Sequence, residues 1–212
     1  MRAVEKLFTH FDKFMMRVKN GKTSFFAGGR FSLGMAILMT LLSVVIYLNT
    51  SPDLDVYLFC AMIIFTWFII LFCGVAFWIP AKLYGGKSNM IKTVTGFGYL
   101  SLIFVFIRIV ELPMMMVTHK AILTQSEPLQ HDISGLISLG IYQSFAASIS
   151  NVLVALGYLV LGYLTYRMLR VVHELGRLRA LISTCIGILI ISMTAVYVQA
   201  PVVEFFVFAN KA

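Results

Sequence analysis

Residues 56–88 read V-Y-L-F-C-A-M-I-I-F-T-W-F-I-I-L-F-C-G-V-A-F-W-I-P-A-K-L-Y-G-G-K-S. The last eight, Ala81–Ser88, satisfy a permissive phosphate-loop pattern, and the residues before them decide whether that pattern has meaning. A Walker A loop needs a strand feeding a glycine-rich turn and then a helix, so that backbone N–H groups wrap a phosphate. Here the preceding run, Val56 to Ile79, is apolar and long enough to cross a bilayer as a helix. Ala81 stands where the loop wants its first glycine, and Lys82, Leu83 and Tyr84 are bulky where the backbone must curl. Gly85-Gly86 therefore reads as a tight helix-to-helix turn, with glycine supplying the positive φ that a sharp reversal needs.

Composition supports the membrane reading. The chain has 212 residues, of which 60% are hydrophobic and only 12% charged, with a mean hydropathy of +0.92. Soluble domains carry about 25% charged residues. The fold class expected is an all-α integral membrane protein, a bundle of five transmembrane helices. The apolar runs are Phe31 to Leu48, Val56 to Ile79, Val94 to Val117, Ile149 to Thr165 and Leu181 to Ala200. Residues 1–30 form an amphipathic, basic amino-terminal segment and residues 31–212 the membrane domain.

Ile133 to Thr165 is too long for a single crossing, at about 50 Å against a hydrocarbon core of about 30 Å. Charge resolves the crossing number. Arg2, Lys6, Lys13, Arg17, Lys19, Lys22 and Arg30 precede span one, Lys82, Lys87 and Lys92 follow span two, and Arg167, Arg170, Arg177 and Arg179 follow span four. Those 14 of the 17 basic residues share one side in a five-span arrangement. Lys120 and Lys211 fall opposite, with Asp53, Asp55, Glu127, Asp132 and Glu204. The positive-inside rule then puts the amino terminus in the cytoplasm and the carboxyl terminus outside, with 133–148 interfacial, re-entrant or helix-extending. The net charge of +8 belongs to the cytoplasmic face, where anionic lipid headgroups rather than nucleic acid are the expected partner.

Val4, Leu7, Phe8, Phe11, Met15 and Val18 recur at helical spacing without a signal-peptide layout. The pattern fits a helix lying in the cytoplasmic interface, and equally one packed on the protein's own cytoplasmic end.

Few residues suggest chemistry. His173-Glu174 begins a zinc-protease signature, but Arg177 stands where its second histidine belongs, leaving a cytoplasmic polar turn. Cys60, Cys73 and Cys185 lie in spans and read as small packing residues. His119, Glu127, His131 and Asp132 match no metal-cage spacing. No enzyme activity, cofactor or metal is expected. Arg108 and Glu111 share a face of span three, where each alone would cost about 2.5–3.5 kcal/mol at the bilayer centre. They either glue helices or line a polar cavity, and Pro113 beyond them should loosen the helix. On span four, Gln143, Ser144, Ala147, Ser148, Asn151 and Ala155, then Gly157 and Gly162, form a small and polar strip. It reads as the internal seam of the bundle; a homo-oligomeric interface has the same signature.

W-I-P-A-K-L-Y-G-G-K-S-N-M-I-K-T-V-T-G-F-G-Y-L, Trp78 to Leu100, resembles the signature of the Yip-domain (Ypt/Rab-interacting protein) family: a span ending in a G-G-K turn at Gly85, Gly86 and Lys87, then a glycine-tyrosine pair, Gly98 and Tyr99. G-Y-L-V-L-G-Y-L-T-Y-R-M-L-R-V-V-H-E-L-G-R-L-R-A-L, Gly157 to Leu181, is similar to that family's span-four exit, valine-histidine turn at His173 and arginine-alanine re-entry at Arg179. Ile103 departs from it, since the family often has proline there. The resemblance implies five spans with a cytoplasmic amino terminus. Eukaryotic relatives are linked to Rab binding through a longer cytosolic region. With about thirty residues before span one, the expectation is a bacterial inner-membrane member. Some bacterial relatives resemble accessory partners of transporters, and the family offers no catalytic residues. A non-enzymatic scaffold or accessory subunit is the leading expectation. The alternative is a small transporter or lipid-handling protein with a cavity near Arg108, Glu111 and Asn151.

Overall fold

The computed structural model describes residues 10–48, 56–125 and 133–194, and the side chains of 10–43, 56–57, 59–112 and 149–194. Among the described residues the secondary structure is helical throughout. The elements are α1 (Phe11–Lys19), α2 (Phe25–Leu48), α3 (Val56–Leu83), α4 (Met90–Gln125), α5 (Ile133–His173) and α6 (Arg177–Thr194). Helices α2 to α6 are each long and apolar enough to cross a bilayer.

α4 is the centre. Over an apolar 18-residue stretch of its spanning part, Met90–Leu112, 72% is buried inside the protein, against 22% in such a stretch of each of the other four, which face mostly outward. α2, α3 and α5 pack around α4, and α6 lies against α3 and α5. Phe97 on α4 meets Phe77 of α3 at 5.2 Å. The backbones of α2 and α4 approach closely. A Cβ on Gly98 would stand 3.1 Å from the Gly28 carbonyl oxygen, and one on Gly28 would stand 2.8 Å from Thr95 Cγ2. Two small residues at this crossing let the helices close, as small residues do in membrane bundles.

Several boundaries differ from those read in the sequence. α2 starts at Phe25, with the Ser24 hydroxyl accepting from the Ala27 N–H at 3.1 Å. Arg30 therefore lies inside a helix that runs across the 30/31 boundary. Pro80 does not stop α3, which continues one turn to Leu83. Residues 133–148 are a helix extension rather than a re-entrant loop, since α5 is one 41-residue helix of about 60 Å. α4, at 36 residues, is about 54 Å long, so both outrun a hydrocarbon core of about 30 Å. The α4 helix runs through position 113, and the Pro113 side chain lies outside the described ones.

The apolar face of α1 is folded into the protein. Phe11, Phe14, Met15 and Val18 are buried, against α5 and α4. Phe14 meets the Tyr99 ring edge-on at 4.9 Å, and Phe31 of α2 lies 5.1 Å from the same ring. Of the two readings of this segment, packing on the protein's own end describes residues 11–19. Val4, Leu7 and Phe8 lie outside the described residues.

Candidate functional site

Three chain segments far apart in sequence meet at one end of the bundle: α1, the α3–α4 turn and the α5–α6 turn. Gly85 sits in left-handed backbone at φ 88°, and the N–H groups of Gly85 and Gly86 close the end of α3 on the carbonyls of Lys82 and Ala81, at 3.1 and 2.9 Å. The Lys82 ammonium donates to the Gly86 carbonyl at 3.3 Å. Asn89 then starts α4, its Oδ1 accepting from the Lys92 N–H at 3.2 Å, in the manner of an N-cap.

His173, the last residue of α5, ties the two turns together. Its carbonyl accepts from the Lys87 N–H at 3.2 Å, and its Nε2 lies 2.7 Å from Thr93 Oγ1, a hydroxyl that also reaches the Asn89 carbonyl. The ring is fully buried and its Nδ1 has no hydrogen-bond partner. A neutral imidazole fits this surrounding, because a second N–H would be buried without an acceptor. Gly86 makes room for the ring: a Cβ there would stand 2.5 Å from Nδ1. His173 is thus an interior strut, and the polar surface turn expected at His173-Glu174 is formed by Glu174 alone.

Glu174 adopts left-handed backbone at φ 56°, a conformation that costs a non-glycine residue about 1–2 kcal/mol. Its carboxylate bridges Lys19 of α1 and Lys87 of the α3–α4 turn, the latter at 2.8 Å. Hydrogen bonds from Lys19 and Lys87 hold the Glu174 carboxyl down at about 2, and Glu174 in turn raises the Lys87 ammonium. A second pair, Arg167 with Asp12 at 2.8 Å, fastens α1 to α5, with the guanidinium 5.2 Å from the Phe11 ring centre. Arg179 lies over the glycine turn, its Nη1 3.7 Å from where a Gly85 Cβ would stand.

Five of the seven signature residues, Gly85, Gly86, Lys87, His173 and Arg179, are therefore brought together. Gly98 and Tyr99 lie deeper on α4, where they dock α2 and α1. Glu174, Thr93 and Asn89 complete the assembly, and of these Thr93 and Asn89 were not singled out in the sequence. Thr93 and Asn89 carry a faint signal, as a short polar step just after G-G-K-S.

A separate polar cluster lies deeper in the bundle. Arg108 Nη1 donates to Glu111 at 2.9 Å, and Arg108 Nε and Nη2 both donate to Ser43 Oγ of α2, at 3.3 and 3.0 Å. The Ser43 hydroxyl in turn donates to the Met39 carbonyl at 3.0 Å. Asn151 does not join them. It is exposed, while its neighbour Ser150 is buried and donates to the Val110 carbonyl at 3.1 Å. Ala155 is exposed as well, so the seam expected along Asn151 and Ala155 is displaced. α5 meets α4 through Ser150 and through Gly157 of the expected strip, where a Cβ would stand 2.6 Å from Ile107 Cγ1. The side chains of Gln143, Ser144, Ala147 and Ser148 lie outside the described ones, as do those of His119, Glu127, His131 and Asp132. Among the described residues no group of three His, Cys, Asp or Glu side chains is placed to hold a metal ion. Of the three cysteines only Cys73 is packed inside; Cys60 and Cys185 face outward, contrary to their reading as packing residues.

These features define a helical multi-pass membrane bundle with a basic, cross-tied end. Comparison with family models, with characterised proteins and with solved structures gives no match for the chain.

Proposed function

We propose that the chain is a non-enzymatic membrane scaffold or accessory subunit whose basic end lies on the cytoplasmic face of a bacterial inner membrane. There it binds anionic headgroups and a membrane-protein partner such as a transporter. The carrying observation is the charge balance of that end. Residues 10–30, 82–92 and 167–179 present twelve Lys and Arg side chains against two carboxylates, Asp12 and Glu174. Both carboxylates are already paired, Asp12 with Arg167 and Glu174 with Lys19 and Lys87. The other cations are left to attract an anionic surface. Exposed apolar side chains alternate with them: Phe26 near Arg30, Leu83 beside Lys82, Ile91 beside Lys92, and Leu178 between Arg177 and Arg179. Such a mixture suits the boundary between headgroups and acyl chains, where long basic side chains reach outward from an apolar base. The resemblance to the Yip-domain family agrees with a cytoplasmic amino terminus and an exterior carboxyl terminus.

The transport reading loses one of its three residues, because Asn151 points outward while Arg108 and Glu111 satisfy each other and Ser43. An anionic leaflet should attract each Lys or Arg near its surface by about 1 kcal/mol, screened beyond a Debye length of about 8–10 Å. Unfolding of the chain in phosphatidylglycerol vesicles should therefore occur at higher temperature than in phosphatidylcholine vesicles. High salt should shrink the difference, and so should Arg177→Gln with Arg179→Gln. Equal unfolding temperatures in the two lipids at low salt would count against the proposal.

A further inference from the structure

On the described part of α5, Asn151 is an exposed amide among apolar side chains. It lies in the fourth spanning segment, Ile149–His173, and Ile149, Val152, Leu153 and Leu156 around it are all exposed. Ser150 fixes its level, since that hydroxyl meets the Val110 carbonyl of the central helix one residue from Glu111. From Thr165 to Asn151 the helix rises about 21 Å, inside a hydrocarbon core of about 30 Å. Among the described residues the Asn151 carboxamide has no hydrogen-bond partner. In hydrocarbon its two donors and its carbonyl have no water to turn to, and its short stem cannot carry them to the interface.

We infer that the Asn151 face of α5 is where a second copy of this chain docks. A second copy is complementary to this face. A carboxamide both donates and accepts, so Asn151 is satisfied by another Asn151 at the same depth, and a two-fold axis along the membrane normal places identical residues at identical depth. Ala155, one turn along the same face and also exposed, is small enough to let the two helices approach. The interface is independent of the basic end and of what that end binds.

The test uses the full chain, labelled with donor or acceptor dyes and reconstituted in phosphatidylethanolamine–phosphatidylglycerol vesicles. Energy transfer is followed as the protein-to-lipid ratio falls. The chain should dimerise, Asn151→Leu should weaken association by about tenfold, and Asn151→Gln should restore most of it. Circular dichroism melts show that each variant is folded. In a background of Cys60→Ala, Cys73→Ala and Cys185→Ala, oxidation should cross-link Ala155→Cys, which keeps Asn151, and leave Leu153→Cys, on another face of the helix, largely monomeric. A chain that stays monomeric at every ratio overturns the inference, as does an Asn151→Leu variant that associates as well as the parent, or cross-linking at 153 equal to that at 155.

Discussion

Gly86 and Glu174 show how single side chains hold the basic end together. A Cβ at position 86 would stand 2.5 Å from His173 Nδ1 and 2.6 Å from the Ala81 carbonyl oxygen, and the backbone atom cannot yield as a flexible side chain could. Gly86→Ala should cost about 1–3 kcal/mol, read as a lowered unfolding temperature in detergent. Wild-type stability in this variant would mean that the turn and His173 are not in contact. Glu174 makes a pH-dependent contribution. Its carboxyl is depressed in the folded chain, so the clamp on Lys19 and Lys87 is whole above the ordinary value near 4.5 and is lost as pH falls through about 2. Wild type should thus be more stable than Glu174→Gln at neutral pH, with the gap closing between about pH 4.5 and 2. A gap unchanged over that range would remove the clamp. The glycine turn was legible because Gly85-Gly86 between two apolar runs has few other uses. His173 was misjudged because a histidine beside a glutamate looks like surface, and only the fold brings Thr93 to its ring.

The helices were legible where lipid sets their composition and illegible beyond it. Five apolar runs follow from the need to bury backbone in hydrocarbon. The ends Phe25–Arg30, Met90–Thr93 and Tyr166–His173 are helical for other reasons, packing and capping, which hydropathy does not register. α1 shows the same ambiguity, since Phe11, Met15 and Val18 suit a bilayer surface or the flanks of α4 and α5 equally well. Asn151 misled because a polar residue in a span is expected to face inward. Arg108 and Glu111 did pair, but Ser43, their partner on α2, has no pattern in sequence. This stitch predicts a non-additive cycle. Arg108→Met alone strands the Glu111 carboxylate and should cost about 3–5 kcal/mol, whereas Arg108→Met with Glu111→Met should cost markedly less. Equal costs for the single and double variants would show that the pair is not coupled.

For the molecule as a whole, the central claim is that α1, the α3–α4 turn and the α5–α6 turn form one basic surface on one side of the membrane. Hydrogen bonds and ion pairs join the three segments, and a sixth crossing between α4 and α6 would separate them. In a chain with Cys60, Cys73 and Cys185 replaced by alanine, single cysteines at Lys13, Lys87 and Arg177 can be probed with a membrane-impermeant maleimide in intact cells and in inverted vesicles. All three positions should react in inverted vesicles and none in intact cells. Labelling of Arg177→Cys from the outside, with Lys87→Cys labelled only from the inside, would contradict the five-span arrangement and the shared basic end.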